Sequence, residues 1–271
     1  MSANNFPRVF LNKNEEKEIQ QGFPWVFDNE ISHIKYRETE AVDAEWKNEP
    51  LKTAVVADGS TVEVYTKAGG FLGTGVLNKK SKISVRLIGS EHADKIFEDI
   101  YSYWEKRVEA ALELRKIYMS DTDSYRLIFG EADLIPGLIC ERFCDENKKV
   151  YIVVQFLSMS CDVFRKEILT ALNKLCKPAG IYERSDASVR EKEGLPLVAG
   201  WLNLDDEEFS VADETSNWSL KTDFITIVEN GIFLSVDIVN GQKTGYFLDQ
   251  KFNRVAAAQF CKGKKVLDTF T

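Results

Sequence analysis

Apolar and polar residues alternate in two stretches of the first ninety residues, at Val62 and Val64 and again at Ile83, Val85 and Leu87, with a shorter apolar run from Val9 to Leu11. A period of two predicts half-buried strands. Asp58-Gly59, Gly69-Gly70, Gly73 and Gly75 fall between the apolar runs, so the connections are tight turns and residues 1–90 read as a small all-β barrel. The period then changes. From Glu91 to about Met119, Ile96, Ile100, Tyr103, Trp104, Val108, Ala111, Leu112 and Leu114 recur at helical spacing, with charges on the other face. This predicts a long amphipathic connecting helix.

Residues 125–200 read as an α+β unit. RLIFGEADLIPGLICERF gives two short strands around a Pro136-Gly137 turn, KVYIVVQF (149–156) is strongly β-prone, and DVFRKEILTALNKLC (162–176) has a helical stripe at Val163, Ile168, Leu169, Leu172 and Leu175. Gly180 to Glu183 adds a strand. The acidic segment 204–217 has little apolar content and reads as a surface loop and a boundary. FITIVENGIFLSVDI (224–238) predicts a hairpin turning at Asn230-Gly231, since that dipeptide tolerates positive φ. Asp249 is placed to cap a helix through Val255 to Phe260, and Gly263 to stop it. Lys265 to Phe270 reads as a last strand, the first of a Rossmann-type sheet. In such a sheet the ligand sits beyond the carboxyl ends of the strands, so half of a pocket is expected here and the turn and helix that complete it are not.

Composition narrows the function classes. The 271 residues carry a net charge of −8, which argues against nucleic-acid binding through bulk electrostatics. The charge is uneven. Residues 1–90 balance 12 Lys+Arg against 12 Asp+Glu, so the whole excess lies in the remainder, and the N-terminal part is the better RNA candidate. Five cysteines without a CxxC pair suit a reducing compartment, and two histidines give a metal little to bind. No apolar run approaches the ~20 residues that cross a bilayer, and the N-terminus has no leader pattern, so the expected address is the cytoplasm.

Three stretches together resemble one family: YRLIFGEADLIPGLICERF (125–143), IYERSDASVREKEGL (181–195) and ENGIFLSVDIVNGQKTGYFLDQKFNR (229–254), followed by KKVLDTF. The chain is similar to the S-adenosylmethionine-dependent ribosomal RNA large subunit methyltransferase I family, class I methyltransferases with an N-terminal PUA barrel that modify cytosine C5 in 23S ribosomal RNA. GFPWVFDNEI (22–31) and GGFLGTGVLNKKSKISVRL (69–87) resemble that family's PUA segments. The implied architecture is a multi-domain β and α/β chain. It has a PUA-like RNA-binding barrel at 1–90, a linker helix and central α+β domain at 91–205, and an incomplete Rossmann-like methyltransferase domain from 206 to 271.

The resemblance implies S-adenosylmethionine as cofactor, with Phe247, Gln250, Asn253, Arg254, Asp268 and Phe270 on its side of the pocket. A helix N-terminus near 248–250 suits the carboxylate of a methionine moiety. The alternative reading is structural, with Asp249 a cap and Arg254 in an ion pair. The resemblance implies 23S ribosomal RNA as partner. Docking is assigned to Trp25, Lys79, Lys80, Lys82 and Arg86, and more weakly to Arg184 and Arg190. At least two of Phe23, Trp25 and Phe27 are expected to close the barrel core, since alternate positions in a half-buried segment point the same way, and the two late arginines read equally as ion-pair partners of Glu183, Asp186 or Glu191. Methylating C5 requires a thiolate to add to C6, and the family's nucleophilic cysteine is expected past Thr271, with Cys261 read as packing. Residues 1–271 are therefore expected to be inactive alone. A non-catalytic RNA-binding module is the alternative, no metal is called, and a homodimer is left open.

Overall fold

In the computed structural model, residues 6–38, 44–212, 223–267 and 269 are described. The N-terminal unit contains β1 (Arg8–Leu11), α1 (Glu16–Gln20), β2 (Trp25–Phe27), β3 (Ile31–Tyr36), β4 (Lys47–Glu49), β5 (Thr61–Tyr65), β6 (Phe71–Leu77) and β7 (Ile83–Gly89). They form one sheet in the order β2-β7-β6-β5-β1-β3-β4. Val26, near one end of that order, and Ile34, near the other, are buried in the same apolar cluster as Val9, Val62, Val64 and Val85. The sheet therefore wraps around one core, as the period-two pattern requires. In the β2 segment the inward residue is Val26. Phe23, Trp25 and Phe27 sit on the opposite parity, partly exposed and packed edge to edge. The expectation that two of these aromatics close the core is corrected.

The connecting helix is interrupted. α2 (Ala93–Glu98) and α3 (Ile100–Tyr118) meet at Asp99, whose extended φ of −151° breaks the helix and whose carboxylate accepts from the Ser102 N–H to cap α3. Trp104, Val108 and Ala111 face inward, while Leu114 is exposed.

The central unit contains β8 (Tyr125–Phe129), β9 (Leu138–Cys144), β10 (Val150–Phe156), α4 (Met159–Asp162), α5 (Arg165–Cys176), β11 (Gly180–Ser185), α6 (Val189–Lys192) and β12 (Val198–Trp201), with sheet order β12-β11-β10-β9-β8. The turn before β9 needs Gly137: its φ is +80°, and a Cβ there would lie 2.1 Å from Ser158 Oγ. One face of the sheet buries Cys140, Ile152, Val154 and Ile181 against Trp104 and Val108 of α3 and Leu169 and Leu172 of α5. The expected helix at 162–176 begins instead at Arg165, and Val163 is exposed.

Among the described residues the other face is covered at one end only. β13 (Phe224–Glu229) and β14 (Ile232–Asp237) form an antiparallel hairpin, turning at Asn230 (φ +52°) and Gly231 (φ +79°) as the Asn-Gly signal predicts. Ile225, Ile227 and Val236 pack on Phe143, Tyr151, Val153 and Tyr182 of the central sheet. α7 (Lys251–Cys261) follows a 3-10 turn at Leu248–Gln250. The part of segment 204–217 that is described is less open than its acidity suggests: Phe209 is buried, and Arg165 donates to the carbonyls of Glu208 and Phe209.

The expected last strand is not found where it is described. Lys265, Val266 and Leu267 take no strand conformation and Leu267 is 84% exposed, while Asp268 and Phe270 lie outside the described residues. The hairpin and helix of 223–267 thus adjoin the central domain, and their β-structure is an antiparallel pair rather than the parallel pairing of a Rossmann opening. No helix among the described residues is long and apolar enough to cross a membrane.

Candidate RNA interface

The residues assigned to RNA separate into two groups. Lys80 and Lys82, in the β6–β7 turn region, are exposed and carry their charge into solvent. The others are engaged. Trp25 Nε1 donates to Glu131 at 2.7 Å, and the Arg86 guanidinium sits 5.3 Å from the Trp25 ring centroid. Arg86 also pairs with Glu131 (3.3 Å) and Glu193 (3.2 Å). Glu193 accepts in addition from Asn78 at 3.0 Å and Ser81 at 2.7 Å. These contacts join the N-terminal sheet to the central unit, so Trp25 and Arg86 hold two domains together rather than presenting a stacking face and a free cation. Lys79 Nζ donates to the Ala54 carbonyl at 2.9 Å.

The two late arginines are engaged within the protein. Arg190 is buried, donating through Nε to the Pro196 carbonyl (2.7 Å) and through Nη1 to the Phe156 carbonyl, and pairing with Asp162 at 2.8 Å. Arg184 lies 3.6 Å from Asp186 and donates to the carbonyls of Ile238 (3.3 Å) and Gly241 (3.1 Å), which ties the 238–241 loop to β11. Of the ion pairs anticipated for them, Arg184–Asp186 forms; Glu183 goes to Arg165 instead, at 2.7 Å.

The cofactor residues are not assembled into a pocket among the described residues. Gln250 and Asn253 are exposed and bond each other at 2.7 Å. Arg254 is committed to the hairpin: Nε and Nη2 bind the two Glu229 oxygens at 2.7 Å each, Nη1 donates to the Phe247 carbonyl at 2.9 Å, and the guanidinium lies over Tyr246. The Glu229 hydrogen bond outweighs burial and raises the Arg254 pKa. Phe247 is half-buried with Lys243 Nζ 4.8 Å from its ring centroid. Asp249 forms no side-chain cap; it pairs with Arg126 at 3.1 Å. The described residues therefore do not by themselves fit an S-adenosylmethionine site.

Sequence reasoning missed the end of the central sheet that the hairpin leaves uncovered. There the face carries Ile139, Gln155, Arg184, Arg126 and Phe129 around a cavity of about 450 Å³, rimmed by Lys243 and Thr244. Strand parity concealed it. The β8–β9 register slips between Arg126 and Ile128, so Arg126 opposes Glu141 and Phe129 opposes Ile139, and two residues three apart share a face. Leu127 and Ile128 are both buried as a result. Asp133 fixes this edge, accepting from the Phe129 N–H at 2.7 Å and binding Arg115 through both oxygens, while Arg115 Nε donates to the Arg126 carbonyl. Below it Glu141 is fully buried; burial raises its carboxyl pKa despite Arg126, whose Nη2 lies 2.6 Å away.

Comparison with known proteins follows the same division. Residues 9–89 match the family model of the PUA-like domain. The chain is 34% identical over 265 residues to the ribosomal RNA large subunit methyltransferase I of Photobacterium profundum, covering 97% of this chain and 57% of that protein. The protein of the same name from Shewanella amazonensis is 32% identical, with the same two coverages. The chain thus spans 57% of the length of these curated relatives. A putative S-adenosylmethionine-dependent methyltransferase from Streptococcus mutans shares the fold with a TM-score of 0.60 at 20% identity, over 91% of this chain and 52% of that one. A putative methyltransferase solved with SAH matches equally, at a TM-score of 0.60. The resemblance to the ribosomal RNA large subunit methyltransferase I family runs along nearly the whole chain.

Proposed function

We propose that residues 1–271 are the RNA-recognising portion of an S-adenosylmethionine-dependent methyltransferase that acts on cytosine C5 of 23S ribosomal RNA. The observation that supports this is the identity of about one residue in three with ribosomal RNA large subunit methyltransferase I proteins along 97% of the chain. The PUA-like unit supplies exposed Lys80 and Lys82 for phosphate contacts. Trp25, Arg86, Glu131 and Glu193 fix that unit on the central domain, so both surfaces meet one RNA in a set geometry.

The chemical step needs more than these residues hold. Cytosine C5 becomes nucleophilic when a thiolate adds to C6, which requires an accessible thiol of low pKa. Burial pushes Cys161 and Cys176 up to about 11 and Cys140 well above its ordinary value, and burial raises Cys144 as well. Cys261 is exposed rather than packed, and its Sγ faces the Ala257 carbonyl of its own helix. Residues 1–271 alone are accordingly proposed to bind S-adenosylmethionine weakly or not at all and to transfer no methyl group. The raised thiol pKa values of Cys140, Cys144, Cys161 and Cys176 favour, as second reading, a non-catalytic RNA-binding module.

Filter binding tests the recognition reading. Fragments of 23S ribosomal RNA are expected to bind more tightly than an unrelated duplex, with affinity falling as salt rises through a few phosphate contacts. Equal affinity for both RNAs at two salt concentrations would contradict it.

A further inference from the structure

The uncovered end of the central sheet adjoins a second cavity. The first, of about 450 Å³, is bounded by Phe129, Gln155, Arg184 and Lys243, and the second, of about 330 Å³, by Leu114, Tyr118, Met119 and Leu248. Arg126 and Phe129 line both, so they form the ridge between them. Each volume lies in the range of roughly 300–1,000 Å³ usual for small-ligand sites.

We infer that these cavities hold two successive nucleotides of unpaired RNA, one base in each, with Phe129 as the ring against which both pack; this rests on the RNA-recognition reading above. Phe129 is 54% exposed although it stands on a strand, and a solvated aromatic ring on a sheet face is the platform on which unpaired bases stack. Its backbone is immobilised, because Asp133 holds its N–H and Arg115 holds the Arg126 carbonyl. Little ordering cost remains to be met on binding. The Arg126 guanidinium, 5.3 Å from the Phe129 ring centroid and held by Glu141 and Asp249, adds a fixed planar cation to the same ridge. Tyr118, 67% exposed, provides a second ring in the smaller, more apolar cavity.

The arginines lining the two cavities are each paired, Arg115 with Asp133, Arg126 with Glu141 and Asp249, and Arg184 with Asp186, and Lys243 stands at the rim beside them. Lys243 is exposed at the rim, in a left-handed conformation (φ +55°), and is positioned by the loop that Arg184 ties down. It is the group placed to meet a phosphate. Asp186, 3.6 Å from Arg184, offers an acceptor to a base edge, suited to an exocyclic amino group, and the Gln155 amide, whose Nε2 donates to the Arg184 carbonyl at 3.0 Å, has a second N–H to donate.

The test uses the intact 271-residue chain and a short fluorescein-labelled single-stranded oligoribonucleotide, read by anisotropy, with the same sequence as a duplex for comparison. Phe129→Ala is expected to weaken single-strand binding by about 5- to 150-fold, the range for loss of one or more base–aromatic stacks, and Phe129→Tyr to restore it. Lys243→Ala is expected to weaken it several-fold and to lower the salt slope by about one phosphate contact. Both residues are exposed, so melting temperatures should not move. Wild-type affinity in Phe129→Ala and Lys243→Ala, or no single-strand binding by the wild-type chain, overturns the site. If these outcomes coincide with retained preference for 23S fragments, the recognition reading stands and only this site falls; loss of that preference defeats the reading itself.

Discussion

The two ends of one face of the central sheet carry different chemistry. At the hairpin end the outward residues of β9, β10 and β11 are Phe143, Tyr151, Val153 and Tyr182, buried under Ile225, Ile227 and Val236. At the other end of the same strands stand Ile139, Gln155 and Arg184, and next to them Arg126 and Phe129 on β8, around an open cavity. Backbone and pleat are shared, so the change is in what covers the face. A covered surface must be apolar because unsatisfied polar groups cost more than burial returns. A surface left open is free to carry charge and an aromatic ring, the two features RNA recognition uses.

Removing the covering contacts should break the contrast most severely. Phe143→Ala empties a fully buried position beneath the hairpin and is expected to cost about 3–5 kcal/mol in chemical denaturation. The equivalent truncation at the open end, Phe129→Ala, should leave stability within about 0.5 kcal/mol. Equal losses would erase the distinction between the two ends.

Arg254→Ala comes next. It leaves Glu229 buried without its guanidinium partner, and because Arg254 is itself one-third exposed the cost is placed at about 2 kcal/mol. Hydrogen exchange should show that loss first in β13 and β14, since Arg254 joins the hairpin to α7. Global loss without preferential opening of the hairpin would count against a separable cover.

Acidity sharpens the comparison through two glutamates of opposite behaviour. Burial holds the Glu141 carboxyl above its ordinary pKa, so the folded state binds a proton more readily than the unfolded chain. Its contribution is most favourable below the unfolded pKa and is lost as pH rises through the folded one. For Glu63 burial also acts upward, but hydrogen bonds from Tyr65, His92 and the Ala93 N–H bring the folded pKa below the ordinary value. Its contribution is present above the unfolded pKa and lost as pH falls through the folded one. Denaturation series should therefore show Glu141→Gln removing a loss of stability on the alkaline side of the carboxylate range, and Glu63→Gln removing one on the acid side. Matching pH profiles for the two variants would contradict these assignments.

The smallest effect is assigned to the PUA-like unit. Lys80→Ala with Lys82→Ala should leave the fold unchanged and lower the salt slope of 23S fragment binding by about two, one contact per lysine. An unchanged slope would remove these lysines from the interface.

Much of this architecture was legible in the sequence. Period-two runs located β5 and β7, Asn230-Gly231 located the hairpin turn, and helical spacing located α3 and α5, because each signal is local. What escaped depends on tertiary context. Trp25 and Arg86 are aromatic and basic in a sequence that suggests RNA, yet their partners Glu131 and Glu193 lie on another domain. The strand expected from Val266 and Leu267 has apolar residues but no neighbour to pair with among the described residues. Phe129 could not be placed because a one-residue slip in β8 reverses the parity on which the reading depends.

Hydrogen exchange of the 271-residue chain with and without a 23S ribosomal RNA fragment tests recognition by the open end most directly. The account predicts slowed exchange at 126–129, 155–157, 184–187 and 240–244, together with 79–82, and none across the hairpin at 224–237. Protection confined to the hairpin, or no protection anywhere, would contradict it.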